Sequence, residues 1–345
     1  MESDDRSPSG AEDRGQGGDR GPSTGWLALY ICGVVAVLAA GVAILFILFE
    51  PEPEGTPKVA PPNQPQGRAP TAGADGRAVA GRQLTLGRVG EPVSEASGLA
   101  ESRRSPGTFY THNDSGGEPA VFVLASDGTV IATQPLVGVE NRDWEDIALG
   151  PGPRGGRIYI AETGDNLAQH ESVFIYRIPE PNLKGTEPGA TLAPVEPEVL
   201  ELIYPEGARD AEALIVDPAN GDIFLVTKRE DRSRVYRASD PRFDTGRPLD
   251  LELIGELPFN DVVAGDACPD GETVLLKTYL EVRAFTARRG GVARALTGDS
   301  SPRLYRLDPR YPQDEALAAS PDCTGYTVLP EGVIPPLVRY APGRR

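Results

Sequence analysis

The fold is decided by residues 210–218 (DAEALIVDP), because altered copies of this stretch recur along the C-terminal three quarters of the chain. The copies are 94–100 (SEASGLA), 143–148 (DWEDIA), 262–271 (VVAGDACPDG) and 314–322 (DEALAASPD). Their aligned positions are Glu95, Glu145, Glu212, Val263 and Glu315, so successive copies lie 50, 67, 51 and 52 residues apart. A repeat of this length that holds several short strands is typical of a β-propeller blade.

Each repeat divides into short β-runs that are bounded by turn residues. In the third repeat, strands are predicted over 211–216, 222–227, 234–238 and 251–257, with a turn at 218–221 (PANG). The last repeat supplies only three strands, at 315–319, 325–329 and 337–340, whereas a strand-like run at 83–89 precedes the first repeat. We expect this run to complete the last blade, because that closes the ring and removes two exposed sheet edges.

The number of blades depends on how the longest spacing is interpreted. The 67-residue step is explained by a Pro/Gly-rich loop at 180–194, which leaves five blades. A sixth blade hidden within 160–205 is the alternative. The 40 glycines and 34 prolines suit many short strands joined by turns. The predicted fold class is therefore all-β, a five-bladed β-propeller, with six blades as the alternative.

The chain before the propeller divides into three segments. Residues 1–25 are polar and predict a disordered tail. Residues 26–49 form a run of 24 residues without a charge, which predicts a single transmembrane helix rather than a signal peptide. Residues 50–81 are rich in Pro, Gly and Ala and predict an extended linker to the propeller domain at 82–345. We expect a cell-membrane protein with a cytoplasmic tail and the propeller outside, because the tail is short and the propeller is large.

Charge and cysteine content limit the possible partners. The net charge of −17 disfavours nucleic acid, whose phosphates would be repelled, and favours cations or basic partners. The three cysteines, Cys32, Cys268 and Cys323, form no Cys-x-x-Cys motif, so a structural zinc site is not indicated. Cys268 and Cys323 fall near the same point of successive repeats. They are interpreted either as a disulfide or as two buried small apolar side chains.

Acidic and amide side chains are predicted to converge on one face of the propeller. The first strand of each blade lines the central channel, and its start lies on the same face as the loop between the second and third strands. The residues that we predict as metal ligands there are Glu95, Asn113, Glu145, Asp165, Asn166, Glu212 and Glu315. Oxygen ligands of this kind favour calcium or magnesium over zinc, and Ca²⁺ is the predicted ion.

The repeated glutamates also have a purely structural interpretation. Repeat proteins reuse a carboxylate to hold backbone amides or to tie neighbouring blades by hydrogen bonds. The residues that depart from the repeat are therefore the better functional candidates. They are the pairs 113–114 (ND), 165–166 (DN) and 228–229 (KR), and Asp266.

These runs resemble those of a group of bacterial membrane-anchored β-propellers whose function is not established. The resemblance spans residues 83–340 and rests on HNDSG, DWEDIA, ETGDN, DAEAL with TKR, GDACPDG with KTY, and DEALAASPD with PEG. At greater distance the chain is similar to calcium-dependent propellers of the gluconolactonase/senescence-marker type and to phytase-like propellers. That similarity implies ligand roles for Glu95, Asn113, Asp165, Glu212 and Asp266. The chain departs from the pattern at 262–263 (VV) and 330–331 (PE).

Two functions follow from these observations. The first is a hydrolase of a lactone or phosphoester, in which the cation polarises the substrate. In that hypothesis Asp114 or Asp266 acts as the base, and Lys228 and Arg229 bind an anionic substrate. The second is a non-catalytic binding, scaffold or sensor propeller at the cell surface, with a small-molecule or protein ligand that the sequence does not identify.

Overall fold

The computed structural model describes residues 82–341, apart from 153–155, 244, 288, 300 and 308–313. The predicted tail (1–25), transmembrane helix (26–49) and linker (50–81) lie outside the described residues. Within the part that is described, no helix is both long enough and apolar enough to cross a membrane.

Strand β1 (Arg82–Arg88) precedes the first blade, and the remaining strands follow in chain order. Blade 1 contains β2 (Ala96–Glu101), β3 (Phe109–Asn113), β4 (Ala120–Leu124) and β5 (Val130–Pro135). Blade 2 contains β6 (Trp144–Gly150), β7 (Arg157–Glu162) and β8 (Val173–Pro179); after the short β9 (Ala190–Thr191) it is completed by β10 (Glu198–Ile203). Blade 3 contains β11 (Ala211–Val216), β12 (Ile223–Thr227) and β13 (Arg234–Ala238); after the short β14 (Leu249–Asp250) it is completed by β15 (Glu252–Glu256).

The last two blades close the ring. Blade 4 contains β16 (Val262–Ala267), β17 (Thr273–Thr278), β18 (Glu281–Thr286) and β19 (Arg303–Arg306), with helix α1 (Gly291–Thr297) before β19. Blade 5 contains β20 (Asp314–Ala319), β21 (Tyr326–Pro330) and β22 (Pro336–Ala341). Strand β1 pairs antiparallel with β22 and supplies the fourth strand of blade 5, as predicted.

Five blades surround one axis. The innermost strands β2, β6, β11, β16 and β20 each contact the next, and β20 returns to β2. The described residues form five sheets, so the five-bladed prediction is confirmed and the six-bladed alternative is wrong. The 67-residue spacing between Glu145 and Glu212 does not contain a further blade. Strands β7, β8 and β10 belong to blade 2, and the segment between β8 and β10 forms only the two-residue β9.

Two short strands and one helix were not predicted. Strand β9 pairs in parallel with β5, and β14 pairs in parallel with β10, so each adds a fifth strand to the preceding blade. Two-residue strands cover the outer edge of a sheet but are too short to show an alternating pattern. Helix α1 starts at Gly290 without a side-chain cap, so it lacks the usual sequence signal for a helix start. Its apolar side chains pack at the boundary between blades 3 and 4.

The hydrophobic core is divided among the five boundaries between blades. Each of the five apolar clusters combines side chains of two adjacent blades. Trp144 illustrates this, because it is fully buried between blades 1 and 2 and contacts Tyr176 with ring centroids 5.9 Å apart. The blades therefore depend on one another for burial of their apolar faces.

Asp146 joins three blades near the axis. It is fully buried, and its Oδ1 accepts a hydrogen bond from the Ile147 amide at 2.8 Å. Its Oδ2 accepts from the amides of Leu214 at 2.9 Å and Gly265 at 3.0 Å. These amides belong to β6, β11 and β16, so one carboxyl group holds the innermost strands of blades 2, 3 and 4 together.

We expect Asp146→Ala to lower the free energy of unfolding by about 3 kcal/mol, because it leaves three buried amides without an acceptor. Denaturant-induced unfolding followed by circular dichroism measures the change. The matched control is Asp231→Ala, which removes an exposed aspartate and should stay within about 0.5 kcal/mol of the wild type. Equal stability of the two variants would contradict a role for Asp146 in holding the blades.

Candidate metal centre at the channel mouth

The channel mouth is the face at which the five innermost strands begin. Each of these strands has an irregularity in its pairing near that end. In β11 Ala211 pairs with Thr227 and Ala213 with Val226, which leaves Glu212 as the extra, unpaired residue. In β20 Glu315 is the extra residue by the same pattern. A β-bulge of this kind re-aims a side chain, so these glutamates are directed by the backbone and not by the alternation of the strand.

Five carboxylates form the mouth cluster, which we define as Asp114, Asp143, Glu145, Asp210 and Glu212. Asp114, Asp143 and Glu145 can each offer an oxygen such that all three oxygens lie within 4.8 Å of one another. Glu145, Asp210 and Glu212 do the same. The two groups share Glu145, which is therefore the centre of the cluster. Two members, Asp143 and Asp210, lie two residues before a repeated glutamate, a signal that is visible in the sequence.

The loop between β7 and β8 forms one wall of the mouth cluster. A Cβ atom added at Gly164 would lie 2.2 Å from Oε1 of Glu145 and 2.4 Å from Oδ2 of Asp143. The Gly164 amide donates to the Asp143 carbonyl at 3.2 Å, which fixes the loop against the strand start. A side chain here would therefore displace the two carboxylates, because it would occupy the space that they fill.

Two cations neutralise one side of the mouth cluster. Lys228 Nζ lies 2.5 Å from Oε1 of Glu212 and 3.7 Å from Oε1 of Glu315. Arg229 Nε donates to Oδ2 of Asp210 at 2.6 Å. In the described part of the chain, no lysine or arginine forms an ion pair with Asp114, Asp143 or Glu145. The negative charge that lacks a partner is therefore concentrated on the side formed by blades 1 and 2.

Burial and mutual repulsion raise the pKa values of Asp114, Asp143, Glu145 and Glu212. Burial, followed by the charge of Glu212, raises the pKa of Glu145 well above its usual range. Burial raises the pKa of Glu212 to about 8, although the nearby Lys228 acts in the opposite direction. Burial raises the pKa of Asp114 to about 6. The pKa of Asp143 is raised by burial and by Asp210. In the absence of a cation, the folded protein therefore keeps a proton on Glu212 near neutral pH.

Glu315 belongs to a second acidic group beside the mouth cluster. The Tyr279 hydroxyl donates to its Oε1 at 2.5 Å. Burial and the charge of Glu315 raise the pKa of Glu331 to about 8. Glu315 is thus held by a tyrosine, a lysine and a second carboxyl group, and it does not join the two groups that share Glu145.

Of the four other predicted ligands, three make hydrogen bonds that hold loops in place. Glu95 is exposed. The Asn113 side chain accepts from the amides of Ser94 and Glu95 and donates to the Pro92 carbonyl. Asp165 accepts from the amides of Gln169 and His170 at 2.9 and 2.7 Å. Asn166 accepts a hydrogen bond from Arg229.

The register of blade 1 explains why Glu95 is not in the mouth cluster. In blade 1 Ala96 pairs with Asn113, and the pairing of β2 is irregular immediately after Ala96. In blade 2 Trp144 pairs with Glu162, and β6 is irregular in the same way immediately after Trp144. The structural equivalent of Glu145 in blade 1 is therefore Ser97. The alignment of Glu95 with the other repeated glutamates was wrong by two residues, because the bulge hides the register.

Asp266 lies away from the mouth. The prediction that it acts as a base there is therefore wrong. It is four residues beyond Val262, or roughly 13 Å along β16. Its two oxygens accept from the amides of Ala267 and Ala319, each at 2.8 Å. Burial raises its pKa to about 6. Asp266 therefore joins blades 4 and 5 as Asp146 joins blades 2, 3 and 4.

No family model and no curated protein matches this chain. Among solved structures, the PQQ-bound aldose sugar dehydrogenase of Streptomyces coelicolor is similar with a TM-score of 0.43 and 12% identity, over 75% of this chain and 98% of that one. The WD40 domain of Neurospora crassa Pan2 is similar with a TM-score of 0.40 and 10% identity, over 76% and 96%. Chaetomium thermophilum Raptor is similar with a TM-score of 0.37 and 10% identity, over 73% and 20%.

We expect the chelator-treated protein to be more stable at pH 5.5 than at pH 8. An unfolded glutamate loses its proton near 4.5, whereas the folded protein keeps one on Glu212 up to about 8. Between pH 5.5 and 8 the folded state binds more protons than the unfolded state, so stability falls as pH rises, by about 3 kcal/mol over that range. Thermal unfolding across this range measures the effect. In the Glu212→Gln variant the slope should be smaller, and an unchanged slope would contradict the assignment.

Proposed function

We propose that this propeller binds a divalent cation, calcium, in the mouth cluster. The observation that carries the proposal concerns Glu145. Its side chain is buried and belongs to both groups of carboxylates, and the charged groups that act most strongly on its pKa are all carboxylates. A buried anion without a partner is unfavourable, whereas a bound cation makes the same arrangement favourable. The cation would replace the protons that the carboxylates otherwise hold.

The geometry of the mouth cluster suits calcium. Calcium binds six to eight oxygen atoms at about 2.3–2.6 Å, so two oxygens on opposite sides of the ion are roughly 5 Å apart. The oxygens of each group lie within 4.8 Å of one another, which agrees with that limit. Every member of the mouth cluster is a carboxylate, and hard oxygen ligands favour calcium over zinc.

The surroundings of the mouth cluster support a binding role over hydrolysis. Lys228 and Arg229, which the hydrolase hypothesis assigns to an anionic substrate, are paired with Glu212 and Asp210. Asp266, one of the two candidate bases, is bonded to backbone amides elsewhere in the propeller. We therefore propose a non-catalytic propeller that presents a calcium ion to a ligand, at the cell surface if residues 26–49 anchor it as the sequence predicts.

Isothermal titration of the chelator-treated full-length chain with calcium tests the proposal. We expect one ion per chain, and a loss of affinity of at least about 30-fold in Glu145→Gln, because the shared ligand is removed. Glu95→Gln is the matched control, since it removes an exposed glutamate near the mouth, and it should change the affinity less than about 3-fold. An absence of binding at millimolar calcium would contradict the site. Turnover of lactones or phosphoesters by the calcium-loaded chain would contradict the non-catalytic role.

A second variant tests the wall of the mouth cluster. We expect Gly164→Ala to weaken calcium binding by about 10-fold or more, because the new methyl group displaces the carboxylates of Glu145 and Asp143. The free energy of unfolding measured in chelator shows whether the fold is intact. The control is Gly90→Ala, in the segment between β1 and β2, where an added Cβ meets no atom within 4 Å and φ is not positive. A Gly164→Ala variant with unchanged calcium affinity would show that the ion, if bound, does not lie against this loop.

A further inference from the structure

The two cysteines within the described residues are neighbours in space. Cys268 and Cys323 are 55 residues apart in sequence, yet their Sγ atoms lie within 4.8 Å of each other. Each follows the innermost strand of its blade, β16 in blade 4 and β20 in blade 5, at the end opposite the channel mouth. The repeat therefore brings equivalent turns of adjacent blades together and places one thiol on each side of their boundary.

Both turns are held by main-chain hydrogen bonds. The Cys268 amide donates to the Thr273 carbonyl at 2.8 Å, and the Cys323 amide donates to the Ser320 carbonyl at 2.8 Å. Cys323 has a φ of 56°, a conformation that a cysteine adopts only where the surrounding turn requires it. The Asp322 carboxylate accepts from the Thr324 amide at 3.0 Å and stabilises that turn. The proximity of the thiols is thus a property of the backbone on both sides.

The thiols differ in their access to solvent. Cys268 is only 2% exposed and belongs to the apolar cluster between blades 4 and 5, while Cys323 is partly exposed and packs against that cluster. Both line a cavity of about 120 Å³, together with Arg303 and Tyr305. A reagent can therefore reach Cys323 first and meet Cys268 behind it.

We propose that Cys268 and Cys323 form a disulfide bond that joins blade 4 to blade 5. A disulfide has a sulfur–sulfur distance of about 2 Å, so the two Sγ atoms, which already lie within 4.8 Å, have to approach each other further. The propeller described here has no other cysteine with which either of them could pair. A disulfide at this point ties together two blades that are otherwise held by apolar packing and by the hydrogen bond between Asp266 and the Ala319 amide.

The bond forms by thiol–disulfide exchange with a disulfide oxidant, such as glutathione disulfide or a dithiol oxidase. Cys323 loses its proton and its thiolate attacks one sulfur of the oxidant, which releases one thiolate of the oxidant and leaves a mixed disulfide. The Cys268 thiolate then attacks Sγ of Cys323 and expels the second thiolate. The two released thiolates take up the two protons, and two electrons pass from the cysteine pair to the oxidant.

Burial determines the rate of this exchange and the persistence of its product. It raises the pKa of both thiols, and more strongly that of Cys268. Formation at neutral pH is therefore slow without a catalyst, because the thiolate is the attacking species. Once formed, the bond is protected on the Cys268 side, since a reducing thiol can approach only through Cys323.

Peptide mapping of the full-length chain tests the proposal directly. The protein is incubated with glutathione disulfide and a dithiol oxidase as catalyst, then denatured in an alkylating reagent and digested without reduction. We expect one cross-linked peptide pair that joins Cys268 to Cys323 and is lighter than the separate peptides by two hydrogen atoms. Recovery of both peptides in alkylated form would overturn the proposal, as would a stoichiometric zinc ion held by the two thiols.

Thermal unfolding provides an independent measurement. Closing a loop of 55 residues should raise the melting temperature of the oxidised chain by about 10 °C over the reduced chain. The Cys323→Ser variant should melt like the reduced wild type and show no response to reductant. Cys32→Ser is the control and should keep the full response. A wild type with the same melting temperature in both redox states would overturn the proposed role of the bond in joining the blades.

Discussion

The hydrogen bonds of Asp146 are the constraint on which the rest of the propeller depends. Its carboxyl group joins β6 to β11 and also to β16, which belongs to a blade that is not adjacent to its own. Strands can approach so closely only where side chains are absent. A Cβ atom at Gly98 would lie 2.6 Å from the Ile147 amide nitrogen, and one at Gly265 would lie 2.7 Å from Cδ1 of Ile215. The axis is therefore closed by small residues and shared hydrogen bonds, and the carboxylates of the mouth lie above a packed centre.

This closed centre sets the charges that the mouth can hold. Lys277 is fully buried and lies 3.5 Å from Asp314, so one cation and one anion are already paired beneath the surface. Lys228 and Arg229 neutralise Glu212 and Asp210 from the side of blade 3. What remains is a net negative group on blades 1 and 2, in which Glu145 is buried and Asp114 and Asp143 are partly exposed. Burial raises the pKa values of these carboxyl groups and so favours their protonated forms, and a divalent cation offers a second way to satisfy them.

The sequence predicted the architecture because a blade repeats whole strands and turns, which survive small errors of register. Five blades and the completion of blade 5 by the run predicted at 83–89 both follow from spacing. The site was predicted less well, because it depends on single residues near bulges. In blade 1 the sequence alignment placed Glu95 at the repeated position, whereas the strand register places Ser97 there. The role of Asp146 was not predicted, because its carboxylate accepts hydrogen bonds from amides that are 68 and 119 residues away in the sequence.

The same position in the five repeats shows how a symmetric fold acquires a site on one side. Its occupants are Ser97, Glu145, Glu212, Val263 and Glu315 in chain order. A carboxylate at all five positions would place five negative charges around one axis, and the two neutral residues reduce that repulsion. Of the three glutamates, Glu212 forms an ion pair with a lysine. Glu315 forms an ion pair with the same lysine and accepts a hydrogen bond from a tyrosine. Glu145 alone of these three faces two aspartates in place of a cation, so the departures from symmetry, more than the repeat itself, determine on which side of the mouth we propose the cation.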